Sequence, residues 1–299
     1  MVMRPLFRAT DSFLRARLRA RGYVSESVPT RHGPIQLLRA RGDGLCPPLV
    51  VLHGLAAAGH FYDAVFDPMR PFVRSVLAPD LPGHGKSPLP HHVSPEELAD
   101  ALGDAIAARV DEPAILFGNS LGGAAALRIA DQRPLLVAGL FLVAPGGAPM
   151  KAEDRERFLA QFDLQSHDEA LEFVDNLFAE RHAFRHVLAW GTRHKFAQPE
   201  TRALLARVDE RSFLSPHHLT DLTMPVHVVW GGADRILPPE HLAFFRAYLP
   251  AHARIEVVHH YGHTPQMDHP RELHGRLRRF VERVAHERPR SLAPTVVRA

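Results

Sequence analysis

From residue 49 onward, short β-rich apolar runs alternate with longer helical patterns, and this alternation constrains the fold more than any other feature of the chain. PLVVLH (48–53) precedes a helical pattern near Phe61 to Phe72; RSVLAP (74–79) precedes SPEELADALGDAIAARV (94–110); AILF (114–117) and VAGLFLVAP (137–145) complete the block. Later come PVHVVWG (225–231), helical HLAFFRAYL (241–249), ARIEVVH (253–259) and a final helix over about Pro270 to His286. Strands that read as continuous apolar runs are buried on both faces, and parallel neighbours need crossover connections, here the helices. The expectation is an α/β fold, a mostly parallel sheet flanked by helices. YVSESVP (23–29) and PIQLLRA (34–40), separated by a turn at Arg31 to Gly33, predict an opening hairpin.

Between the two blocks, residues 147–216 carry helical patterning without a convincing strand, and hold Phe158, Phe162, Phe173, Phe178, Phe184, Phe196, Phe213 and Trp190. Open α/β sheets bind ligands at the carboxyl edge of their strands, so an inserted helical cap there would enclose a pocket. Phe158, Phe162, Phe184 and Trp190 are the candidate pocket residues. The expected organisation is an amphipathic N-terminal helix over 1–22, a core over 23–146 and 217–287, a helical cap over 147–216 and a disordered tail over 288–299. The N-terminal helix rests on Leu6, Phe7, Phe13, Leu14 and Leu18 at helical spacing between arginines.

Composition narrows the function classes. With 45% hydrophobic and 23% charged residues the chain reads as a globular protein long enough for a substantial core. No apolar run reaches the roughly 18–20 residues that span a bilayer. The first residues lack the continuous apolar stretch of a secretory signal, so the expected location is the cytoplasm and membrane association is not expected. Cys46 is the sole cysteine, which excludes an intrachain disulfide and a cysteine metal cluster. The net charge of +3 owes much to terminal arginines such as Arg15, Arg17, Arg19 and Arg21, which read as a solvated helix face. No motif supports a nucleic-acid partner. The pairs His91-His92, His217-His218 and His259-His260 point to different sides of their elements and do not by themselves make a metal site.

GNSLGG (118–123) sits between AILF and the helical LGGAAALRIA, the strand-turn-helix context in which G-x-S-x-G lifts a serine hydroxyl beyond a sheet edge. Ser120 is the candidate nucleophile, and the N–H of Leu121 at the helix start faces developing negative charge. A serine needs a base and the base an orienting acid. HHYGHTPQMDHP (259–270) offers His259, His260, His263 and His269; His263 is favoured, because Gly262 permits a sharp loop and Pro265 delays a helix. WGGADRILP (230–238) puts Asp234 after the preceding strand, with Asp268 and Asp80 as competitors. LVVLHGLAAAGH (49–60) supplies a small-residue loop, making the N–H of Leu55 the second candidate oxyanion donor, with His53 positioning that loop. Asn119 has no chemical role that the sequence discloses.

HGL at 53–55, DLPGHGKS at 80–87, GNSLGG at 118–123, GGADRILP at 231–238 and GHTPQMDHP at 262–270 together resemble the α/β-hydrolase superfamily, over about Val24 to Val284. The resemblance implies an eight-stranded, mostly parallel sheet, a cap after the sixth strand, no metal or organic cofactor, and a Ser120, Asp234, His263 triad. DLPGHGKS looks like a structural turn of that family. The activity expected is that of a serine esterase, carboxylesterase or lipase-like, acting through an acyl-enzyme on a small-molecule ester with an apolar acyl or alkyl group. Carbon-carbon bond hydrolysis of ring-cleavage diketo acids is the alternative; its usual Trp after the catalytic His is replaced here by Thr264, and although Arg181, Arg185 and Arg193 could serve as its cap carboxylate ligand, a solvated helix face is the favoured reading of them. A non-catalytic binding protein of the same fold is the alternative of another class.

Overall fold

The computed structural model describes residues 3–91 and 93–287. A hairpin of β1 (Val24–Val28) and β2 (Ile35–Arg41) leads into β3 (Leu49–Leu52), β4 (Ser75–Pro79), β5 (Ala114–Asn119), β6 (Val137–Val143), β7 (Val226–Gly231) and β8 (Arg254–Val258). The eight strands form one sheet in the order β1-β2-β4-β3-β5-β6-β7-β8. Both neighbours of β2 run antiparallel to it, and every pairing from β4 to β8 is parallel. The mostly parallel eight-stranded sheet expected from the sequence is therefore the one observed.

The helices are α1 (Met3–Ala20), α2 (Asp63–Phe66), α3 (Pro95–Ala107), α4 (Leu121–Gln132), α5 (Ala152–Ala160), α6 (His167–Leu177), α7 (Arg185–Phe196), α8 (Pro199–Ala206), α9 (His217–Thr220), α10 (Pro239–Tyr248), α11 (Pro265–Asp268) and α12 (Pro270–Glu287). Strand alternation splits the core into two layers. Val50, Leu52, Leu116, Leu142 and Val228 pack on one face with Leu102, Ile106, Leu127 and Phe245 of α3, α4 and α10. Val51, Ile115, Phe117, Phe141 and Val229 pack on the other with Leu18, Phe66, Leu277 and Phe280 of α1, α2 and α12. Burying each such side chain stabilises by roughly 1.5–3 kcal/mol. Helix α3 starts with a reciprocal cap, the Ser94 hydroxyl accepting from the Glu97 N–H and the Glu97 carboxylate accepting from the Ser94 N–H.

The continuous helix expected near Phe61 to Phe72 is not formed. A 3-10 turn (Gly59–Tyr62), the four-residue α2 and a second 3-10 turn (Asp67–Met69) replace it. Pro68 explains the break, because it has no N–H to donate and its ring clashes with the preceding turn. The arginines read as a solvated face are partly structural: Arg17 of α1 pairs with Asp63, and Arg21, just after α1, with Asp67 at 2.6 Å, while both stay about half exposed. Among the described residues no helix is long and apolar enough to cross a membrane. The side chains of Leu6 and Phe7 and the tail over 288–299 lie outside the described residues.

Candidate active site

The chain reverses at Ser120, between the last residue of β5 and the first of α4, with φ 54° and ψ −118°. A side-chain-bearing residue in this left-handed region stores on the order of 1–3 kcal/mol of strain. Backbone bonds over-determine the corner: the Ser120 N–H donates to Val143 O at 3.1 Å, while its carbonyl accepts from Gly123 at 2.9 Å and Gly146 at 2.9 Å. Close approach requires the flanking glycines. A Cβ at Gly118 would stand 2.5 Å from Gly122 O, and one at Gly122 would stand 2.1 Å from Leu52 O. The Ser120 side chain does not cap α4, so its hydroxyl is not committed to the helix.

His263 and Asp234 lie in the loops after β8 and β7, and meet with Nδ1 and Oδ2 2.8 Å apart. The other Asp234 oxygen accepts from the N–H groups of Ile236 (2.8 Å) and Leu237 (3.1 Å). Burial opposes ionisation of Asp234, but the His263 ring and these two donors outweigh it and hold the carboxyl below its ordinary range. Asp234 therefore stays an anion against the ring and fixes its Nδ1 as the proton-bearing nitrogen. Among the described residues no hydrogen bond joins the Ser120 hydroxyl to the His263 ring; such contacts are often loose without substrate.

The loop after β3 runs beside the serine: a Cβ built on Gly54 would lie 3.6 Å from Ser120 Cβ. Leu55 follows, and Ala56 has φ 58°. Leu121 opens α4, where backbone N–H groups lack an intrahelical acceptor. His53 is occupied at both nitrogens, Nδ1 lying 2.8 Å from Gly54 O and Nε2 accepting from the Leu81 N–H at 2.9 Å. Burial pushes its pKa down to about 4, so it serves the loop as a neutral ring. Asp80 is spent on backbone donors, accepting from Gly59 N (2.8 Å) beyond β3 and Lys86 N (2.9 Å) in its own turn. Asp268 ends α11 with Oδ2 3.8 Å from His269. His259 is exposed and His260 faces Glu272.

Asn119 is the residue that sequence reasoning missed. Its buried carboxamide accepts from Tyr62 OH (2.7 Å) and Gln266 Nε2 (3.0 Å), and donates to Val143 O (3.0 Å) and His263 O (3.3 Å). Tyr62 OH in turn accepts from the Gly54 N–H at 3.0 Å. One side chain thus ties the serine corner to the His263 loop and, through Tyr62, to the loop bearing Leu55.

Residues 49–276 match the family described as the alpha/beta hydrolase family. The chain belongs to that family. Among its relatives is a pimeloyl-[acyl-carrier protein] methyl ester esterase of Neisseria meningitidis serogroup B (strain H44/76), 30% identical over 250 residues that span 78% of this chain and 92% of the relative. Solved folds of the same kind include naproxen esterase of Bacillus subtilis (19% identity, TM-score 0.71, 86% of this chain and 91% of that one). Another is the meta-cleavage product hydrolase of Pseudomonas fluorescens IP01 (18% identity, TM-score 0.74, 86% and 97%). The enzyme class expected from the sequence, an α/β-hydrolase, is the class into which the chain falls.

In this hydrolase, α6, α7 and the turns that follow α5 and α6 supply an apolar cluster of Phe162, Phe173, Val174, Phe178 and Phe196 with Ile236, against which Phe158, Leu55 and Ala56 pack. Two of the four expected pocket residues, Phe158 and Phe162, thus share a cluster with the loop beside Ser120. Phe184 does not join them. It is 67% exposed where α7 begins, its ring 6.0 Å from His182. Trp190 is half-buried and stacks on His194 with ring centres 5.9 Å apart, outside this cluster.

Proposed function

We propose that this hydrolase is a serine carboxylesterase. In this reading Ser120 Oγ attacks the ester carbonyl while His263 Nε2 takes its proton, and Asp234 stabilises the imidazolium that results. The N–H groups of Leu55 and Leu121 hold the oxyanion. Collapse sends the proton from His263 to the leaving alcohol, and water then hydrolyses the acyl-enzyme by the same path in reverse. The observation that carries the reading is the 2.8 Å contact between buried His263 and Asp234 at the strand edge where Ser120 sits on its strained corner.

We read 147–216 as a cap on a core of 23–146 and 217–287. The cluster joining Phe158 and Phe162 to Leu55 and Ala56 supports an ester whose acyl or alkyl group is apolar, in keeping with the acyl methyl ester named for the Neisseria relative. Carbon-carbon hydrolysis is disfavoured by the cap arginines. Arg185 forks onto Asp175, Arg193 donates to Gln165 O, and Arg181 faces solvent beside Asp175, so none is held ready for a substrate carboxylate.

The test is a short-chain chromogenic ester assay of the wild type against Ser120→Ala, with fluorophosphonate labelling of both. Loss of turnover and of labelling together is expected. Equal rates would remove Ser120 from the chemistry and favour a binding protein or another nucleophile.

A further inference from the structure

We propose that His260, His269 and Glu272 form a site for a divalent transition ion of the zinc class, which clamps the loop carrying His263. His260 follows β8, His269 separates α11 from α12, and Glu272 lies in the first turn of α12. Each residue offers one ligand atom, and these atoms all lie within 4.8 Å of one another. His260 Nε2 stands 3.1 Å from Glu272 Oε2, and the two imidazoles meet edge-on with ring centres 4.9 Å apart. Ligands in a tetrahedral zinc site sit about 2.0–2.2 Å from the ion, so small rotamer changes bring the three onto one centre. Two imidazoles and one carboxylate suit zinc and its neighbours, whereas magnesium and calcium prefer all-oxygen sets.

The surroundings permit an ion. His260 and Glu272 are about half exposed, at 55% and 49%, so the ion enters from solvent and water completes its coordination. Asp268 Oδ2, 3.8 Å from His269, adds negative charge beside the ring. Arg276 opposes the ion, with Nη1 3.4 Å from Glu272 Oε2. It has other partners, Glu256 Oε1 at 3.0 Å and Tyr261 OH at 3.1 Å, and keeps them when Glu272 turns to the ion.

The two histidines bracket the connection from β8 to α12, within which lie His263 and Gln266, the latter bound to Asn119. An ion that joins the ends closes this loop and restricts the motion of its ring-bearing segment. It is an external staple rather than a participant in bond making, so binding and turnover are separable readouts. The proposal therefore stands or falls apart from the ester reading.

The experiment uses the full chain, stripped with a chelator and re-buffered, titrated with zinc sulfate by calorimetry and by thermal unfolding. The expected result is one ion per chain, a Tm raised by a few degrees, and no such shift with magnesium. His260→Ala, His269→Ala and Glu272→Gln, which all alter solvent-reachable side chains, should each weaken binding at least tenfold and abolish the shift. His217→Ala, in the separate Asp131, His217, His218 group, should leave both unchanged. Failure of the wild type to bind zinc, equal affinity in the three variants, or loss of binding in His217→Ala instead would each overturn the proposal.

Discussion

Truncating Asn119 tests whether one buried carboxamide aligns the whole site. Asn119→Ala removes all four of its hydrogen bonds, but the partners are not equally harmed. Val143 O keeps the Ser120 N–H, and Gln266 Nε2 keeps a long contact to Tyr62 OH at 3.4 Å. The Tyr62 O–H loses its acceptor and His263 O its side-chain donor, and both residues are buried. Two orphaned buried groups cost about 1–3 kcal/mol each, so a loss of roughly 2–6 kcal/mol is expected. At about 2.1 cal/mol/K per residue for the entropy of unfolding, a chain of 299 residues converts that loss to a Tm fall of roughly 3–10 °C. The variant therefore folds, and its kinetics are interpretable. Because the deleted bonds orient Ser120 and His263 rather than bind substrate, kcat on a short-chain ester should fall about 10- to 100-fold with KM within a factor of about three. Tyr62→Phe is the matched control, since it removes the acceptor of the Gly54 N–H and loosens the Leu55 loop while the His263 contact survives. A Tm that falls as calculated with an unchanged kcat would make Asn119 a packing residue only. A KM rise at constant kcat would refute the alignment argument.

Four further outcomes follow from the same geometry. Asp234→Asn should keep the Ile236 and Leu237 bonds through its amide oxygen but misassign the His263 tautomer, lowering kcat about 10⁴-fold with little change in Tm; an ester assay with circular dichroism checks both. Ser120→Gly relieves the strain at φ 54° and should unfold at a temperature at least equal to that of Ser120→Ala, although both should be inactive; a clearly lower Tm for the glycine variant refutes the strain. Burial depresses the pKa of His53, His227 and His241 from 6.5 to about 4, and that of His84 to about 3, so the folded chain keeps them neutral while the unfolded chain protonates them. Their stabilisation is complete above pH 6.5 and is lost as pH falls toward 4, on the order of 3 kcal/mol per ring, so Tm should drop steeply across that window before the carboxylates titrate. Arg235→Ala cuts charge-assisted bonds to Asn176 Oδ1 (3.1 Å) and Phe178 O (2.9 Å) and should lower kcat and raise KM together in steady-state assays.

The fold was legible because a buried parallel strand leaves little choice of residue: LVVL and VAGLFLV are apolar on both faces, VHVVWG is apolar but for His227, and helical periodicity fills the gaps between them. GNSLGG was legible because the motif is contiguous and lies between a strand and a helix, although the contact that requires Gly122 is with Leu52 O, far away in sequence. Asn119 was not. Its partners stand 57, 24, 147 and 144 residues away, and a carboxamide carries no local signature of which distant groups it will join. The arginines of α1 misled in the same way, because the acid that Arg17 meets is 46 residues distant. That Phe184 stands exposed before α7 was not legible either, because helical spacing says which residues share a face, not which face turns inward. In the segment from Phe61 the apolar spacing was real, but Pro68 outweighed it.

The helices inserted after β6 reach the candidate site through backbone rather than through side chains alone. The His263 N–H donates to Leu177 O at 2.8 Å, and the Thr264 N–H to the same carbonyl at 3.3 Å. A Cβ at Gly262 would stand 2.4 Å from that oxygen, so the preceding residue must be glycine for the approach to occur. Arg235, next to Asp234, grips the same stretch through Asn176 and Phe178. The last turn of α6 has carbonyls without intrahelical partners, and both loops satisfy them. The acid and the histidine are consequently anchored to one helix end, and a displacement of α6 shifts both together relative to Ser120, whose corner is fixed to β6 by Val143 O. Substrate that wedges against Phe173 or Val174 on α6 would therefore change the reach of His263 to the serine. Acyl-chain length should then enter kcat as well as KM, which a rigid core with a merely adjacent pocket would not produce.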